Sequence, residues 1–75
     1  MSITVTVQEN EAYVTFVIEY EGKEYVFEVI KKYIGTFAEV NFNDLQRKIN
    51  SAISNKNEAM NIFLAAKSEY YRSNE

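Results

Sequence analysis

A chain of 75 residues with no Cys, no His and no Pro, a net charge of -3, six Tyr and five Phe must hold one small core together by packing alone. The missing residue types remove disulfides, imidazole or thiolate metal sites, and the usual nucleophile and base pairs of hydrolases. No run approaches the roughly 18 apolar residues of a membrane span, and Met1-Ser2-Ile3 enters a strand pattern without a basic leader, so a soluble, cytoplasmic single domain over residues 1–75 is expected.

In chain order, Ile3, Val5 and Val7 alternate with Thr4, Thr6 and Gln8, the period of a half-buried strand rich in β-branched side chains. Glu9-Asn10 reads as a tight turn, which sets Val7 opposite Ala12, Val5 opposite Val14 and Ile3 opposite Phe16. The segment Ala12–Tyr20 then meets Lys23–Tyr33 across Glu21-Gly22. A two-residue loop there places Tyr20 opposite Lys23, Ile18 opposite Tyr25, Phe16 opposite Phe27 and Val14 opposite Val29. Slipping by one residue would set Ile18 against Glu24 and Val14 against Glu28, so the apolar pattern itself selects the pairing. Both turns direct one set of side chains inward: Ile3, Val5, Val7, Ala12, Val14, Phe16, Ile18, Tyr25, Phe27 and Val29.

Residues 34–40 read either as a crossover over the sheet, the favoured reading, or as a short fourth strand at 36–40. Asn41 and Asp44 then stand at the N-cap and third positions of a helix, with Val40 and Leu45 placed as a hydrophobic staple. Leu45, Ile49, Ala52 and Ile53 give that helix an apolar stripe over about Phe42 to Ser54. Asn55 and Glu58 repeat the start signal for a second helix from about Lys56 to Arg72, with a main stripe of Ala59, Ile62, Phe63, Ala66 and Tyr70. Ser73-Asn74-Glu75 should fray. The expected fold is α+β: a three-stranded antiparallel meander followed by two helices packed on one face.

Chemistry has little to work with. Glu19 and Glu24 face each other across the second hairpin, but near a solvated end, and no calcium-loop spacing occurs; neither catalysis nor a cofactor or metal is expected. Charge is uneven along the chain: residues 1–30 hold six Glu against one Lys, a balance of -5, while residues 31–75 stand at +2. The acidic half argues against nucleic acid as a partner, although Lys31-Lys32 with Arg47-Lys48 offer one small basic patch.

The outer sheet face is the better candidate. Tyr13 pairs with Ile30 and Val17 with Val26 in the expected register, and Glu11, Glu19, Glu24 and Glu28 surround them: an apolar centre within a charged rim, as in protein interfaces. Plain β propensity accounts for the same Val and Tyr residues, and edge protection for the same Glu residues. Imitation of a phosphate backbone is a third reading of the carboxylates. On the second helix, Met60, Leu64 and Tyr71 form a further apolar line that either packs on the first helix or seals a homodimer.

The expected function is therefore a non-enzymatic module that binds a larger protein or protein complex, an adaptor or inhibitor; the alternative is a structural homo-oligomer sealed by the second helix. Small acidic single domains without a catalytic kit resemble, in architecture only, the proteins phages and mobile elements use against host enzymes and defence complexes, anti-CRISPR proteins among them. No motif residue carries that likeness.

Overall fold

The computed structural model describes residues 2–73, which form four antiparallel strands and two helices. The strands β1 (Ile3–Glu9), β2 (Tyr13–Tyr20), β3 (Lys23–Ile34) and β4 (Phe37–Val40) lie in the order in which they occur, joined by three hairpins. The helices α1 (Phe42–Ala52) and α2 (Lys56–Ser73) cover one face, α1 over β3 and α2 over β1 and β2. Of the tail expected to fray, Ser73 closes α2, and residues 74–75 lie outside the described part.

The central hairpin adopts the register its apolar pairs select, from Tyr20 opposite Lys23 to Tyr13 opposite Ile30. Glu21 and Gly22 have φ of 51° and 76°. Positive φ at both central residues defines a type I′ turn, whose twist matches the strands it joins. Glycine takes that conformation freely; Glu21 does so against steric resistance.

The first hairpin differs from expectation. Val7 faces Phe16, Val5 faces Ile18 and Ile3 faces Tyr20, so β1 slides along β2 and Ala12 leaves the inner face for an exposed turn. The cause is Asn10. Its side-chain oxygen accepts from the backbone N–H of Ala12 at 2.7 Å and of Tyr13 at 2.9 Å, while its own N–H donates to the Tyr13 carbonyl at 3.0 Å. That Asx-type closure moves the loop along the chain, from the expected Glu9-Asn10 to the residues between Glu9 and Tyr13. Because the slide spans an even number of residues, Ile3, Val5 and Val7 still point inward.

Of the two readings for residues 34–40, the strand holds. Ile34 pairs with Phe37 across Gly35-Thr36, and Gly35 at φ 64° with Thr36 outside the positive region fits a type II′ turn. The helices start where their caps lie: Asn41 Oδ1 accepts from Asp44 N–H at 3.1 Å, and Asn55 Oδ1 from Glu58 N–H at 3.0 Å.

Between sheet and helices lies one core. Val14, Phe16, Ile18, Phe27 and Val29 from the strands meet Leu45, Ile49, Ala59, Ile62, Phe63 and Ala66 from the helices, all buried; Ile3, Val5, Val7, Tyr25 and Tyr70 are half-buried around them. Each fully buried Val, Leu, Ile or Phe among them contributes roughly 1.5–3 kcal/mol by leaving water, the source of stability open to a chain without cross-links. Ala52, expected on the stripe of α1, is exposed.

Both ends of the inner face close with polar groups carried on long side chains. At one end the Tyr20 hydroxyl donates to the Glu58 carboxylate; that bond, with burial and nearby Glu21 adding to it, pushes the phenol up to about 12. At the other, Lys31 Nζ meets Glu9 Oε2 at 2.5 Å, which raises the Lys31 ammonium above its ordinary value.

Candidate protein-binding face

Strand alternation sorts β2 and β3 into two sets, and the set opposite the core has no element packed on it among the described residues. Its cross-strand neighbours come in rows about 7 Å apart. Thr4, Glu19 and Glu24 form one row; Thr6, Val17 and Val26 the next; Gln8, Thr15 and Glu28 a third. Tyr13 and Ile30 follow, then Lys32 with Glu39, then Ile34 with Phe37. Apolar rows alternate with charged or polar ones along the length of β3.

Of the eight residues expected on this face, seven lie there together: Tyr13, Val17, Glu19, Glu24, Val26, Glu28 and Ile30. Glu11 does not. It sits in the loop between β1 and β2, where its backbone carbonyl accepts from the Tyr33 hydroxyl at 2.6 Å, so it borders the face rather than forming part of a row.

Two members escaped the sequence reading. Ile34 and Phe37 extend the apolar strip onto the third hairpin, and Phe37 at 80% and Ile34 at 60% are as open as Ile30 at 74% and Val26 at 56%. Reading residues 34–40 as a crossover hid them. The even-numbered run Ile30, Lys32, Ile34 together with Gly35-Thr36 was the available signal.

Beside Ile30 an open groove of about 700 Å³ separates β3 and β4 from the start of α1, lined by Lys32, Glu39, Val40, Asn41, Phe42 and Asp44 among others. Glu19 and Glu24 are both exposed cross-strand neighbours, and no group of three or more His, Cys, Asp or Glu among the described residues is arranged to hold a metal.

The basic patch considered from sequence does not assemble. Lys31 and Lys32 alternate to opposite faces, Lys31 inward against Glu9, while Arg47 and Lys48 both pair with Asp44 within α1. On α2, Met60 at 43%, Leu64 at 50% and Tyr71 at 55% are exposed, and the Tyr71 ring lies 5.8 Å from that of Phe42 on α1. No helix of the described residues is long and apolar enough to cross a membrane. Compared with known proteins, the chain matches no family model, no curated protein and no solved structure.

Proposed function

We propose that this chain is a non-enzymatic protein-binding module, an inhibitor or adaptor that docks on a larger protein through the outer face of its sheet. One observation carries the reading: Val26, Ile30, Ile34 and Phe37, all more than half exposed, line up on the face that neither helix covers, and Glu19, Glu24 and Glu28 stand between and beside them. Desolvating that strip drives association, while the carboxylates favour a partner whose rim is basic and speed the encounter. Inhibition of a host enzyme or defence complex, in the manner of the small acidic phage and mobile-element proteins that this chain resembles in general character, is the form of such binding we favour.

The test is affinity purification with the full chain as bait, identification of the retained protein by mass spectrometry, and repetition with the double substitution Tyr13→Ala, Ile30→Lys. Loss of the retained protein at an unchanged melting temperature supports the face; retention at parental strength overturns it. Salt then separates two ways of using the carboxylates. Imitation of a nucleic-acid backbone gives affinity that falls steeply between roughly 50 and 500 mM salt, and an apolar anchor gives a shallow slope.

The exposure of Met60, Leu64 and Tyr71 favours a second reading, a homo-oligomer sealed by α2. Sedimentation at micromolar concentration tests it, with Leu64→Glu or Tyr71→Glu expected to dissolve the assembly.

A further inference from the structure

An open antiparallel sheet leaves backbone donors and acceptors turned outward along its edges. The type I′ turn makes Tyr20 and Lys23 the closing hydrogen-bonded pair, and Lys31 N–H still donates to the Ala12 carbonyl farther along. Odd-numbered residues of β3 therefore turn their backbone groups to β2, and Glu24, Val26, Glu28 and Ile30 turn theirs away, beyond the reach of β4. The Asn10 to Tyr13 bond fixes the same alternation at the other end: Thr4, Thr6 and Gln8 bond to β2, and Ile3, Val5 and Val7 face outward.

The two edges are protected very differently. Along β3, Glu24 and Glu28 bracket the open stretch, and Lys48 reaches over from α1 to donate to the Glu28 carbonyl at 2.5 Å. Self-pairing there about Val26 would set Glu24 against Glu28 twice, which like-charge repulsion opposes. Along β1, residues 2–8 carry no charge, no Pro and no Gly; the strand is regular, and its inward side chains Ile3, Val5 and Val7 remain half-exposed beside α2. Uncharged, regularly paired and β-branched, that edge is suited to accept another strand.

We infer that the β1 edge pairs with the β1 edge of a second copy, antiparallel about a twofold axis at Val5. In this register Ile3 of one copy faces Val7 of the other, Val5 faces Val5, and Thr4 faces Thr6, so every pair matches in character. Shifting toward the far end would bring Glu9 opposite Ile3 or Val5, and this selects the alignment. With the axis perpendicular to the sheet, the product is one continuous eight-stranded sheet with both helix layers on the same side. The outer faces then lie side by side. This inference rests on the edge and stands independently of the docking face and of the exposed line on α2.

Thr4 and Thr6 are exposed, so charges can be placed there without entering the core. Sedimentation velocity of the full chain from micromolar to roughly 100 µM should show a reversible dimer. Thr4→Lys with Thr6→Lys sets like charges opposite each other twice and should weaken it about tenfold or more. Thr4→Lys with Thr6→Glu restores it, because each Lys then faces a Glu of the other copy only in this alignment. In the unsubstituted chain, amide exchange at Ile3, Val5 and Val7 should slow as concentration rises. A monomer throughout that range overturns the inference, as does a dimer that ignores the lysine pair, fails to recover with the Lys-Glu pair, or dissolves with Leu64→Glu alone.

Discussion

Phe16 and Phe27 face each other across β2 and β3 beneath two helices; Val17 and Val26, one residue along, face each other with no element above them. The two faces share their strands and their alternation, yet one reaches zero exposure at Val14, Phe16, Ile18 and Val29 while the other leaves Ile30 and Phe37 three-quarters open or more. Sheet formation does not require those outer residues. On β1 the same face is carried by Thr4 and Thr6, which satisfy strand propensity at no hydrophobic exposure. The apolar strip of β3 and β4 thus exceeds what β1 carries on the same face, and that excess supports the docking proposed above.

The comparison predicts very unequal responses to similar cuts. Phe16→Ala should cost about 3–5 kcal/mol, comparable to the whole stability of a domain this size, and chemical denaturation should find the variant largely unfolded. At the polar end of the same face, Glu9→Gln leaves Lys31, whose side chain is 8% exposed, beside a neutral partner. A loss of about 1 kcal/mol in unfolding free energy, read by chemical denaturation, is expected there, since Glu9 itself is partly solvated.

Alkali probes the other end. Tyr20 holds its proton more tightly folded, at about 12, than unfolded near 10, so its contribution is complete below pH 10 and disappears as pH rises through 12. Burial raises Tyr70 as well, in the same sense. Melting temperature should fall over that window, and Tyr20→Phe should make the fall shallower. On the outer face, Val26→Thr should move stability by no more than about 0.5 kcal/mol while weakening any complex made through the strip. A loss like that of Phe16→Ala would show that the outer side chains belong to the fold, and the distinction between the faces would collapse.

How legible each part was in the sequence follows from how strongly its pattern excludes alternatives. Ile18, Phe16 and Val14 oppose Tyr25, Phe27 and Val29 in one register, and a single slip brings Glu24 or Glu28 inward, so the central hairpin was readable. In Ile3-Thr4-Val5-Thr6-Val7 every second position is alike, and any even slide satisfies the pattern equally; the register is decided by the hydrogen bonds that the Asn10 side chain accepts, which periodicity does not report. The face survived that error because parity did. Glu11 was lost from it for the same reason, and Ile34 and Phe37 were gained once Gly35-Thr36 proved to be a turn.

The order of elements has a consequence for the nascent polypeptide. All four strands precede both helices, so during N-to-C synthesis a meander can close through local hairpins before its cover has emerged. Until α1 and α2 follow them, Phe16, Ile18, Phe27 and Val29 lack the cover that buries them in the finished fold. A meander that has emerged ahead of its helices therefore shows a sheet sticky on both sides, a natural client for a chaperone.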